Sequence, residues 1–232
     1  MTFSVVALDA GTGDLGVAVA TCHPAVGALV PHVRAGVGAV ATQASTNPHY
    51  GLDALEGLAA GHDPERMARS LTEADRGRAH RQVHLIDKLG RNAVYTGAET
   101  VPWAGQRQAA HVSVAGNMLA GPAVLDAMLS AYHDASDQAF AVRLLTALTA
   151  GEAAGGDKRG RMSAALLVAD TQRYPALDLR IDLSDDPLTD LARLLEAMER
   201  PAVRAFRSTL PTVADPGRSP ADRPEREAGA SK

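Results

Sequence analysis

Two apolar, β-branched runs, residues 3–8 and 15–21, stand either side of the turn Asp9-Ala10-Gly11-Thr12-Gly13-Asp14 at the head of the chain. This feature constrains the fold most, because strand, tight turn and strand commit the chain to an antiparallel pair before any helix begins. Residues 28–33 and 37–43, separated by Arg34-Ala35-Gly36, read as two more extended segments, short of polar residues on either face and so expected to be buried on both sides. The opening quarter of the chain is therefore expected to be sheet.

The pattern breaks at Asn47-Pro48-His49-Tyr50, after which Leu52, Leu55, Leu58 and Ala59 recur at helical spacing. A second helix is predicted after Asp63-Pro64, with Asp63 as N-cap and Pro64 in the first turn. Residues 82–86 and 93–96 flank Asp87-Lys88-Leu89-Gly90-Arg91 as a hairpin, and one further strand is expected from His111 to Gly116-Asn117. Two adjacent helices follow over 122–132 and 138–150. Strands are predicted at 163–169 and 177–181, and a last helix from Asp186-Pro187 to Met198. Sheet, helices, sheet, paired helices and sheet in that order fit two sheets held between helical layers better than a βαβ alternation. The expected division is one domain over residues 1–207 and a Pro- and charge-rich disordered tail over 208–232.

With aromatic residues at only 3%, the core must be built from Ala, Val and Leu in thin, closely approaching layers, and stacking platforms for nucleic acid are not expected. A formal net charge of -4 gives no general attraction to phosphate backbones or anionic lipid, so neither nucleic acid nor membrane is expected as a partner. No segment reaches the roughly 18 apolar residues of a membrane span, and the head of the chain lacks a leader pattern, which points to a soluble cytoplasmic protein. Cys22 is the only cysteine, so no intramolecular disulfide forms.

Gly11-x-Gly13-x-x-Gly16 matches the dinucleotide fingerprint in spacing, but a strand follows it where a helix is needed, and no acidic residue occurs between Leu15 and Leu52 to hold a ribose. His80 and His84 are four apart in a strand-like segment without a third ligand, so no metal site and no cofactor are expected. Two features carry chemistry. Removal of Met1 before a small residue would leave Thr2 at the terminus, nucleophile and base in one residue, because an α-amine near pKa 7.7 to 8.0 accepts the hydroxyl proton directly or through a water (about 7.7 to 8.0 in model peptides). Ser4 lies two residues on, on the same strand face, as a competing or supporting hydroxyl. The second feature is the turn Gly155-Gly156-Asp157-Lys158-Arg159-Gly160-Arg161, which with Ser163 crowds charges and hydroxyls between a helix and a buried strand. Lys158 stands out because the chain otherwise has only Lys88 and Lys232. A cation there would lower the pKa of an amine and stabilise an oxyanion, while a solvated basic turn capping the helix is the plainer reading.

The segments Thr2-Phe3-Ser4-Val5-Val6-Ala7, Leu15-Gly16-Val17-Ala18-Val19-Ala20, Ala35-Gly36-Val37-Gly38-Ala39-Val40-Ala41-Thr42-Gln43, Gly116-Asn117-Met118-Leu119 and the 155–161 turn resemble domain of unknown function 1028, grouped with the N-terminal-nucleophile (Ntn) hydrolases. The resemblance runs to about Met198. It implies an α+β fold, a four-layer αββα sandwich of the Ntn-hydrolase type, similar in element order to proteasome β-type subunits. By that comparison Thr2 falls at the nucleophile, and His32 and Arg34 near the family's basic residue. Gln43 and Ala44 fall at the turn supplying an oxyanion N–H, Asn117 at the turn into the central helix, and Asp157 with Ser163 at the pair orienting the terminal amine. The implied activity is hydrolysis of a small amide of unknown identity, with Asp157, Lys158 and Arg161 tuning the amine and binding an anionic substrate group. The implied assembly is a homodimer or higher homo-oligomer. The rival class is a non-catalytic binding or assembly protein on the same fold.

Overall fold

The structure, a computed structural model, describes residues 2–156 and 159–220. It is a mixed α/β protein with two antiparallel sheets, of which the larger draws its strands from both halves of the chain and the smaller from the first half alone. The larger, six-stranded sheet holds β1 (Thr2–Leu8), β2 (Leu15–Thr21), β7 (Gly105–Ala109), β8 (Val112–Asn117), β9 (Ser163–Ala169) and β10 (Leu177–Ile181) in the order β10-β9-β2-β1-β8-β7. The smaller holds β3 (Pro31–Arg34), β4 (Gly38–Ala44), β5 (Arg81–Asp87) and β6 (Asn92–Thr96) in sequence order. The four opening strands thus divide between two sheets. Residues 26–28 form a 3-10 turn, and β3 begins only at Pro31, whose missing N–H suits a strand start on an edge. β7, of sequence GQRQA, carries no apolar alternation; its pairing to β8 at the sheet edge makes it a strand.

The helices α1 (His49–Ala59) and α2 (Pro64–Glu73) lie on the outer face of the smaller sheet, burying Tyr50, Leu55, Leu58 and Met67 against Val40 and Leu85. Asp63 caps α2 by accepting the Arg66 N–H at 2.8 Å. The helices α3 (Ala123–Asp134) and α4 (Phe140–Ala153) pack against β8, β1 and β2 on the outer face of the larger sheet. Gly16 is needed for that approach, because a Cβ there would lie 2.6 Å from Leu144 and 2.9 Å from Phe140. Every residue of β1 and β2 is buried, which is why neither strand alternates in polarity.

Residues Met1–Ala192 form one compact unit and Arg193–Lys232 a second. α5 (Pro187–Met198) spans the division, and the second unit carries α6 (Pro201–Arg207) and a series of turns. The end of the expected tail, 221–232, lies outside the described residues. No helix among the described residues is long and apolar enough to cross a membrane.

Candidate functional site

The inner face of β1 changes character along its length. Val6 and Leu8 join Leu15, Val17, Val19, Ala39, Ala41 and Ile86 in an apolar layer between the sheets. Thr2 and Ser4 point the same way, by the two-residue period of a strand, into a polar region. In the sheet register Ser163, Thr21, Thr2 and Asn117 stand side by side on four neighbouring strands and therefore share that face. The Thr2 and Thr21 hydroxyls are 3.1 Å apart, and Thr2 is 7% exposed. Ser163 Oγ accepts the Val26 N–H at 3.1 Å and donates to the His23 carbonyl at 2.5 Å, bracing the loop after β2.

Opposite this row, Gln43, Gln82 and Thr96 stand side by side on β4, β5 and β6. Gln82 Nε2 faces the carbonyls of Gly105 (3.1 Å) and Gly116 (3.0 Å), which only accept, so its orientation is fixed. Its Oε1 then accepts from Gln43 Nε2 at 2.8 Å and Asn117 Nδ2 at 3.2 Å. Gln43 in turn presents Oε1 to Ser4, whose hydroxyl donates to it at 2.7 Å. With its proton so used, Ser4 must accept from His84 Nε2–H at 2.7 Å, and His84 Nδ1 accepts from the Ser113 hydroxyl at 3.1 Å. Ser4, Gln43, Gln82, His84 and Ser113 are all fully buried, and burial pushes the His84 imidazole down to about 3, so the ring is neutral. Ser4 and His84 have the spacing of a nucleophile and its base, but the proton on Nε2 runs the hydrogen bond the wrong way for base catalysis.

A cleft of about 310 Å³ opens beside Asn117, lined by His23, Ala44, Ser45, Met118 and Arg159 among others. Two of its walls are strained: Ala44 and Met118 have φ of 68° and 56°, left-handed values costing non-glycine residues about 1–3 kcal/mol each. The Ala44–Ser45 turn is held from outside. Arg81 donates through Nη1 to the Ser45 carbonyl and through Nε to Asp75 Oδ2 at 3.0 Å, and Tyr50 donates to the same oxygen at 2.9 Å. The Gly77 N–H and the Arg81 guanidinium hold the Asp75 carboxyl down at about 2. His80 and Glu99, 3.0 Å apart, stand on the rim.

The residues singled out in the sequence separate into groups. Thr2 and Asn117 meet beside the cleft; Ser4 and the Gln43 side chain lie behind it, in the buried layer. Ser163 is in the row but is spent on backbone groups. Arg161 is paired with Glu152 (2.5 Å) and Asp186 (2.9 Å), and among the described residues of that turn Arg159 lines the cleft. Arg34 does not reach the site: it stands opposite Gly38, six residues along β4 from Ala44 and hence about 20 Å away, paired with Glu56 at 2.9 Å. His32 packs its ring on α1, where a Cβ at Gly51 would clash at 2.2 Å, and burial lowers its pKa. Asp157 and Lys158 lie outside the described residues. His80 and His84 do not share a strand face, because His80 belongs to an exposed 3-10 turn while His84 is fully buried. Among the described residues no group of three or more His, Cys, Asp or Glu could hold a metal. Gln82, His84 and Ser113 escaped the sequence reading as members of one network. The available signal was the alternation in Arg81-Gln82-Val83-His84-Leu85, which sets two polar side chains on one face of a buried strand.

No curated protein matches the sequence. Among solved structures, the crystal structure of protein SPO2555 from Silicibacter pomeroyi is similar, with a TM-score of 0.88 and 36% identity over 94% of this chain and 98% of that one. That protein is described by the same family model, DUF1028, which matches residues 2–191 here. The chain belongs to DUF1028, a family of unknown function.

Proposed function

We propose that the protein is an N-terminal-nucleophile amidohydrolase on a four-layer αββα sandwich of that class, acting on a small amide. One observation carries the reading: the hydroxyl of Thr2, the first residue of β1, lies in an inward-facing polar row next to Asn117, which lines a cleft walled by two left-handed residues. Strained backbone of this kind gathers at functional sites.

With Met1 removed, the Thr2 hydroxyl attacks the amide carbon while its own α-amine takes the proton. The backbone N–H of Gln43 or Ala44 and the Asn117 amide stabilise the oxyanion. Collapse breaks the C–N bond, the ammonium returns its proton to the departing amine, and water then hydrolyses the Thr2 ester. Asp157 and Lys158 would tune the amine. The cleft, near the lower end of the range for small-molecule sites, suits a small acyl group more than a polypeptide.

Intact-mass analysis, followed by a panel of small amides and acylated amino acids offered to the wild type and Thr2→Ala, tests this. The expected result is loss of Met1, a burst of acylated protein in the wild type, a rate rising as pH passes about 7.7 to 8.0, and no turnover by Thr2→Ala. Equal turnover by both proteins, or a blocked terminus on an active protein, overturns it. A retained Met1 with tight ligand binding and no turnover supports the non-catalytic alternative.

A further inference from the structure

The Ser4–His84 network does more than fill space, because one of its members grips the cleft wall. Gln82 reaches across from the smaller sheet and engages Gly116 and Asn117 together: its Nε2 donates to the Gly116 carbonyl at 3.0 Å and its Oε1 accepts from Asn117 Nδ2 at 3.2 Å. The same Nε2 donates to the carbonyl of Gly105, the partner of Gly116 in β7, so one side chain ties β5 to both β7 and β8. Gln82 is fully buried, and its amide cannot rotate without turning an oxygen onto two carbonyls.

We propose that Gln82 is a positioning residue for the candidate site: it fixes the rotamer and the amide orientation of Asn117, one N–H held inward, and so sets what Asn117 presents to the cleft. This rests on the hydrolase reading only for its effect on rate; the orientation stands by itself. Gln43, which donates to the same Oε1 at 2.8 Å, is oriented by the same device.

The test is acylation of Thr2 by a β-lactone probe, followed by mass spectrometry of the N-terminal peptide at several probe concentrations. Gln82→Met keeps the length and removes every hydrogen bond of the side chain, to Asn117, Gln43, Thr96 and the Gly105 and Gly116 carbonyls alike. It should slow the saturated acylation rate about 10- to 100-fold and leave the half-saturating concentration within about twofold, since an oxyanion donor that is present but misaligned costs rate more than binding. Gln82→Glu should recover relative to wild type as pH falls, because only the protonated acid donates to a carbonyl while accepting from Asn117. A purely structural role predicts instead that the urea midpoint of Gln82→Met falls while the saturated acylation rate of its folded fraction stays at the wild-type value. Equal saturated rates in wild type and Gln82→Met overturn the proposal. Should Gln82→Met not fold, the wild type decides by nitrogen-15 NMR: slow hydrogen exchange at the Asn117 side-chain amide supports the clamp, and exchange as fast as at an exposed asparagine overturns it. A wild type that the probe does not label at Thr2 counts against the hydrolase reading, while the exchange measurement still judges the orientation of Asn117.

Discussion

The two ends of the layer between the sheets are built on opposite principles. At one end Val6, Leu8, Leu15, Val17 and Ile86 interlock without a polar atom. At the other, Ser4, Gln43, Gln82, His84, Ser113 and Asn117 are as deeply buried but spend their polar atoms on one another or on backbone carbonyls. The apolar end gains from each methylene nearly independently. The polar end holds only while its partners are in place, since a half-satisfied buried network costs more than an apolar one. The cleft and Thr2 lie at the polar end. The difference teaches that rigid, directional packing is concentrated beside the cleft, while the apolar end holds the sheets together.

The largest effect should come from breaking the polar end. His84→Ala leaves a cavity, strands the Ser113 hydroxyl and takes from Ser4 the bond it accepts, for an expected loss of about 4 kcal/mol in urea unfolding at pH 7. Its pH signature identifies the cause. The folded-state pKa of His84, about 3, lies below the usual value near 6.5, so the unfolded chain takes up the proton first. Stability from this residue is complete above about pH 6.5 and is lost progressively as pH falls toward 3, at about 1.4 kcal/mol per unit. The variant should lack that contribution; an unchanged slope would mean the ring is not held neutral. At the apolar end, Leu15→Ala should cost about 3 kcal/mol with the acid slope of the wild type intact. The smallest effect is Ser4→Ala, about 1–2 kcal/mol, because it creates almost no cavity and strands single bonds of Gln43 and His84. A cost near zero would show that the polar end is not cooperative.

Much of the fold was legible, since paired apolar runs, hairpin turns and the Asp63-Pro64 cap act locally. The chain's opening strands gave no hint that they would part into two sheets, because strands buried on both faces carry no alternation to say which side each partner occupies. β7 was illegible for the opposite reason, being polar throughout and specified by its neighbour. At the site, Thr2 and Asn117 were legible as residues, and their meeting follows from β1 pairing with β8. Arg34 and Arg161 were singled out by charge, but their carboxylate partners, Glu56, Glu152 and Asp186, are 22, 9 and 25 residues away in sequence. Gln82 had no chemistry of its own to draw the eye; its bonds to Gly116 and Asn117 come from the packing of one sheet on the other, which the sequence does not announce.

The side-by-side alignment of Thr2 with Thr21 and Asn117 makes the site a matter of parity. Were one residue added between Thr2 and Ser4, the Thr2 hydroxyl would swing to the opposite side of the sheet, among the helices. Two added residues would restore the side but carry the hydroxyl about 7 Å past its neighbours. A change of length at the head of β1 therefore moves the Thr2 hydroxyl away from Thr21 and Asn117 even where every side chain is kept.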